Sequence, residues 1–152
     1  MPRPRIWRRV AFIPERKYFV PYGIEEEQYQ AVQLKMEELE AMRLKDIEGL
    51  NQSECATRME VSRQTFQLII DEARKKVAVA LTTGCAIKIT GGNYTCNICK
   101  YICLECAHEF ISAYEVENSQ CPACESKNLM CREVDKFCMK SCMKKCCERL
   151  EK

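Results

Sequence analysis

Residues 51–77, NQSECATRMEVSRQTFQLIIDEARKKV, carry the pattern on which the fold turns. The spacing predicts two helices joined by a short turn. The first runs from about Gln52 to Met59, with Cys55 and Met59 four apart on one face and small Ala56 beside them, where a crossing helix must come close. Val61 fills the turn. The second starts at Ser62, whose side-chain oxygen suits an N-cap, and lays Phe66, Ile69, Ile70, Ala73 and Val77 along one apolar stripe. Gln64, Gln67, Leu68 and Asp71 rotate away from that stripe, with Arg63 on the flank. Arg and Gln are the side chains that pair with guanine and adenine edges in the major groove. The stretch therefore reads as a helix-turn-helix whose second helix is the reader. Any two short amphipathic helices share this periodicity, so the polar make-up of the outward face carries the reading. Glu60 stands in the turn where φ > 0 usually selects glycine, at a cost of roughly 1 kcal/mol.

Outward from this stretch, Met36, Leu39, Met42, Leu44 and Ile47 predict a helix over about 37–48, ended by Gly49 and packed over the helix pair. Ala31–Leu34 reads as a short strand, preceded by an acidic patch at Glu25–Glu27 and a loop with Pro21 and Gly23. The opening segment is extended at Pro2 and Pro4. Arg3, Arg5, Arg8 and Arg9 surround Trp7 there, as a basic arm tracking phosphates or entering a minor groove would require. A solvated basic terminus would have the same composition. Downstream, the long helix fades near Leu81, Gly84 breaks the chain, Ala86–Thr90 is a strand candidate, and Gly91-Gly92 marks a domain boundary.

The net charge of +2 conceals an uneven distribution. Residues 1–23 hold six basic against one acidic residue, 24–60 four against ten, 61–94 five against two, 95–130 two against five, and 131–152 seven against four. Basic charge thus sits in the arm, in the reading helix and the segment after it up to Tyr94, and in the tail. That is the footprint expected of a nucleic-acid binder with acidic other faces. No signal-peptide core or membrane-spanning stretch is visible, so a cytoplasmic location is expected. In that compartment thirteen cysteines, several in Cys-x-x-Cys pairs, point to metal rather than disulfides.

Cys103-x-x-Cys106 and Cys121-x-x-Cys124, fourteen residues apart, have zinc-ribbon spacing and are the expected zinc ligands. Ala107 and Glu125 stand where such knuckles often have glycine, and His108, the single histidine, is expected to face solvent. A domain this small would draw folding free energy from its metal. Further thiols remain. Cys138, Cys142 and Cys146 fall on one face of a helical tail, and Cys138 and Cys142 could meet Cys96 and Cys99 in a second zinc site, or hold an iron–sulfur cluster instead. A row of buried small hydrophobes uses the same spacing.

PRPRIWRRV at the start, LEAMRLKDIEGLNQSECATRMEVSRQTFQLIIDEARKKVAVAL, and IKITGGNY are together similar to the family known as domain of unknown function 134. The resemblance covers about residues 1–94, often continues into a cysteine-rich end, and implies DNA binding, which is itself a prediction for that family. The helical part also resembles the last conserved region of primary sigma factors, which reads the promoter −35 element. By position that likeness implies DNA contacts from Ser62, Arg63, Gln64, Thr65 and Gln67.

The expected fold is a mainly α helix-turn-helix domain of three helices with a few short strands (residues 1–94), a small β zinc-ribbon-like domain (95–130) and a short C-terminal helix in a cysteine- and lysine-rich tail (131–152). The expected function is a DNA-binding transcriptional regulator, acting on double-stranded DNA with no membrane partner. A homodimer is allowed, although no heptad seam is visible. The alternative is a metal-handling or adaptor protein whose cysteine-rich domain binds a partner or senses metal or redox state. A thiol oxidoreductase is disfavoured, because nothing flanks the Cys-x-x-Cys pairs like a redox site on a βαβ unit and His108 is the sole nearby base. The chain is therefore expected not to be an enzyme.

Overall fold

The helices form where their ends are chemically marked. The computed structural model describes residues 7–25, 30–117, 119–133 and 142–144, and the chain divides into two compact units, Met1–Tyr94 and Thr95–Lys152. In the first unit, helix α2 spans Gln52–Met59. The Asn51 side chain accepts the Glu54 N–H at 2.9 Å and Glu54 Oε2 accepts the Asn51 N–H at 2.8 Å, so two otherwise unpaired donors are satisfied at once. Helix α3 spans Arg63–Thr83, with Ser62 Oγ accepting the Thr65 N–H at 3.1 Å and Gly84 closing the far end at φ 70°. Between the helices Glu60 adopts φ 55° and ψ 43°, the left-handed conformation that disfavours a Cβ. Its carboxylate lies 3.8 Å from Arg9, an exposed pair of small value. Glu60→Gly should therefore stabilise this unit by about 0.5–1 kcal/mol, read as a higher urea midpoint of the helical signal. A lower midpoint would show that the Arg9 pair outweighs the backbone strain.

Helix α1 spans Met36–Met42 and widens into a π-helical turn over Arg43–Ile47, where the Glu48 N–H reaches Arg43 O at 3.0 Å. Leu44, Cys55, Ala56, Met59, Phe66, Ile69 and Ile70 close one buried cluster between α1, α2 and α3. Glu38 is 4% exposed, yet it accepts the Lys35 N–H at 2.8 Å and Lys76 Nζ at 2.8 Å, which ties α1 to α3 without leaving a buried charge alone.

The helices form the crossover between two parallel strands, β3 (Ala31–Leu34) and β4 (Ala86–Ile89), in register Ala31↔Ala86 to Leu34↔Ile89. Strand β2 (Tyr18–Phe19) adds to β4 antiparallel, giving the order β2-β4-β3. Leu34, Met36, Ala73 and Ile89 bury together, seating α3 on that sheet. Strand β1 (Arg8–Arg9) pairs with β5 (Tyr94–Thr95). Both ends of the helical insert are thus pinned to one sheet.

The second unit is a three-stranded antiparallel sheet in the order β7-β6-β8, built from β6 (Ile98–Cys103), β7 (Glu109–Ala113) and β8 (Leu129–Cys131). Alternation along β6 sends Cys99, Tyr101 and Cys103 to the buried face, where they meet Cys121, Leu129 and Cys131. The described end of the tail lies on the same unit. Lys144 Nζ donates to Val116 O at 3.0 Å and sits 5.1 Å over the Tyr114 ring.

The expectation of a mainly α N-terminal domain beside a small β domain and a short C-terminal helix is corrected. Helix makes up 33% and strand 22% of the described residues, which hold eight strands in three small sheets. Backbone between Pro14 and Gly23, which reads as loop, pairs with β4, and the basic arm supplies β1. The expected C-terminal helix falls largely outside the described residues, and 142–144, which are described, are not helical. Among the described residues no helix is long and apolar enough to cross a membrane.

Candidate nucleic-acid interface and metal centre

The buried stripe of α3 determines which side chains it offers outward. Phe66, Ile70 and Ala73 are at most 2% exposed, and Ile69 is 8% exposed. Gln64, Leu68 and Asp71 lie on the opposite side and are exposed, with Arg63 exposed and Gln67 half-buried on the flank nearer α2. Ser62 and Thr65 cap the helix and share a hydroxyl contact at 2.8 Å. The free N–H groups and positive dipole end of α3 therefore stand beside Arg63 and Gln64, a favourable place for a phosphate.

One hydrogen-bonded chain runs across this surface. Arg63 Nε donates to Gln52 Oε1 at 3.2 Å, Gln52 Nε2 donates to Gln67 Oε1, and Gln67 Nε2 donates to Asp71 Oδ1 at 2.8 Å. The Gln64 side chain makes no hydrogen bond among the described residues. Gln52 is visible in the sequence only as the start of a helix. Its role depends on how α2 crosses α3, and that information is not local.

The arm is placed less simply. Arg3 and Arg5 lie outside the described residues. Arg8 is half-buried and lines a pocket with Lys35, Glu37, Glu38 and Glu72, while Arg9 faces Glu60. The two described arginines of the arm thus have acidic residues among their neighbours.

In the second unit two matching knuckles face each other. The Ala107 N–H donates to Cys103 O at 2.9 Å and the Glu125 N–H to Cys121 O at 2.8 Å, with Ala107 at φ 58° and Glu125 at φ 59°. Both knuckles thus bend through a left-handed residue that is not glycine, as the loop geometry demands. They bring the sulfurs of Cys103, Cys106, Cys121 and Cys124 within 4.8 Å of one another, with Cys103–Cys124 and Cys106–Cys121 each at 3.6 Å. Four thiolates bound tetrahedrally at about 2.3 Å stand ~3.8 Å apart, so this spacing fits a metal ion. The backbone N–H of Cys106, aided by that of Glu105, lowers the Cys103 thiol to about 7. The Ser126 N–H favours the Cys124 thiolate, but the Cys106 thiol and burial outweigh it and push Cys124 up to about 12. A cation bound here would displace protons.

His108 is exposed and stacks on Phe110 at 6.3 Å, outside this cluster. Cys99 is buried in the sheet core and Cys142 is half-buried, while Cys138 lies outside the described residues. Burial and the Glu115 carboxylate push the Cys96 thiol up to about 11. Among the described residues, these thiols do not form a second group of three close enough to hold a metal. Cys55 is a core thiol whose Sγ sits 3.7 Å from Leu50 O, and burial raises it.

Residues 1–97 match the family described as "Protein of unknown function DUF134". The chain belongs to the DUF134 family. The DUF134 match takes in both helices of the candidate interface and ends before the four clustered cysteines. A UPF0251 protein of Clostridium tetani is 57% identical over 142 residues, covering 93% of this chain and 97% of that protein. UPF0251 proteins of Clostridium novyi and Clostridium botulinum are 56% and 55% identical, over 96% and 93% of this DUF134 chain and 97% and 90% of theirs. No solved structure matches the chain.

Proposed function

We propose that this DUF134 protein is a transcriptional regulator that binds double-stranded DNA, entering the major groove with the first turns of α3, and that zinc on Cys103, Cys106, Cys121 and Cys124 organises its second unit. One observation carries the reading. The exposed start of α3 offers Arg63 and the unengaged Gln64 beside a helix N-terminus, on the side opposite a fully buried stripe. Those residue types suit base edges, and the flanking Ser62 and Thr65 suit phosphates. Four thiolates at tetrahedral spacing suit zinc in a closed structural site.

Selection from a random duplex pool with the metal-loaded full chain tests this reading. A shared sequence should be enriched over successive rounds. A pool that stays random, with no duplex retained at moderate salt, would overturn it and leave the thiolate unit as the functional part.

A further inference from the structure

The chain of hydrogen bonds from Arg63 to Asp71 has a direction that its two ends determine. Arg63 can only donate and Asp71, as a carboxylate, can only accept, so both intervening amides must point one way. Gln52 then gives its oxygen to Arg63 and its nitrogen to Gln67. Gln67 spends its oxygen on Gln52 and one N–H on Asp71. A glutamine that reads adenine must turn its oxygen and nitrogen together onto one base edge, whereas the two ends of the Gln67 amide are each tied to a neighbour, Oε1 to Gln52 and Nε2 to Asp71, which holds the amide along the relay. Arg63 is held at Nε alone, and its two terminal nitrogens donate to no other group among the described residues. Those two nitrogens are the donors that pair with O6 and N7 of guanine.

We infer that Gln52 is a positioning residue that orients Arg63 toward a guanine, and that Gln67 is a strut in this relay and does not read a base. The inference rests on the DNA-reading proposal and specifies its chemistry. The preferred duplex carries a guanine under Arg63. Gln52, at the start of a different helix, governs how strictly that guanine is required without touching it. A long arginine side chain samples many rotamers when free, and a fixed Nε contact removes most of that freedom before binding. Loss of Gln52 should therefore relax specificity more than affinity.

The test uses the full metal-loaded chain and the duplex enriched by the wild-type protein, with each guanine replaced in turn by 7-deazaguanine, which lacks the N7 acceptor. Fluorescence anisotropy at fixed salt should show wild-type affinity falling about tenfold at one guanine, the scale of losing part of a bidentate contact. Gln52→Met should lose most of that discrimination while binding a scrambled duplex as the wild type does and melting within a few degrees of it. Gln67→Ala should weaken the same discrimination and leave every adenine position unaffected. Gln52→Glu still accepts from Arg63 but can no longer donate to Gln67 Oε1, so it should keep part of the ratio, as Gln67→Ala does, while lowering affinity for all duplexes alike. Undiminished discrimination in Gln52→Met, an adenine preference lost in Gln67→Ala, or a wild-type protein indifferent to every N7 would each overturn the inference while leaving DNA binding in place. Failure to enrich any duplex would instead overturn the functional reading beneath it.

Discussion

Chelation of the metal-loaded protein should unfold the second unit and leave the helices of the first in place. The core of the second unit is small, made of Cys99, Tyr101, Cys103, Cys121, Leu129 and Cys131 with Phe110 and Tyr114 against it. A core of that size supplies about 3–5 kcal/mol at most, whereas a structural zinc site supplies ~10–16 kcal/mol of apparent binding free energy at neutral pH. Two of the six core residues, Cys103 and Cys121, are themselves in the four-cysteine cluster, so stripping the ion leaves two of its four facing thiols in the core and two, Cys106 and Cys124, at the surface. The first unit has separate clusters around Phe66 and around Leu34 and holds none of those four ligands. The expected result is loss of amide dispersion from residues 98–131 with the helical circular-dichroism signal largely retained. Simultaneous loss of both would make the two units one cooperative body, and a second unit unchanged by complete metal removal would assign its stability to packing.

The second large effect belongs to Phe66. Its side chain is fully buried among Leu44, Cys55, Ala56, Met59 and Ile70, at the point where α2 and α3 meet. Phe66→Ala should cost about 3–5 kcal/mol, the transfer loss plus the cavity left behind. That is a large fraction of the ~5–15 kcal/mol that stabilises a domain. Leu68→Ala removes a side chain that is 72% exposed on the other side of the same helix, and should stay within about 0.5 kcal/mol. Thermal melts compare the two, with zinc content as the control that the second unit is intact. Similar costs at both positions would mean that α3 packs by another face, and the reading surface would move with it.

How much of the fold and the site is legible in the sequence depends on how local each signal is. The boundaries of α2 and α3 are written in the residues next to them, the side chains of Asn51 and Ser62 and the left-handed backbone of Gly84, each satisfying a helix end within a few residues. The positive φ of Glu60 is legible for the same reason, because the turn between two fixed helices permits little else. The four clustered cysteines can be picked out because Cys-x-x-Cys spacing is itself knuckle geometry. Strands β2 and β5 are not legible. Each has two residues, too few for alternation to show, and Tyr18 finds its partner at Lys88, seventy positions along the chain. The buried Glu37, Glu38 and Glu40 read as a solvated face until α3 and residues 10–11 are packed over them. Gln52 escapes notice for the same reason, since its value lies in partners eleven and fifteen residues away on another helix.

The most direct measurement of the central claim is the affinity of the wild-type chain and of Arg63→Ala for the enriched duplex and for a scrambled duplex of equal length, at one salt concentration. A side chain that reads a base matters only where that base is present, whereas a phosphate contact matters everywhere. The account predicts a loss of roughly 1–3 kcal/mol for Arg63→Ala on the enriched duplex and a much smaller loss on the scrambled one. Equal losses on the two duplexes would contradict it, because Arg63 would then be an electrostatic contact and α3 would not be reading the groove.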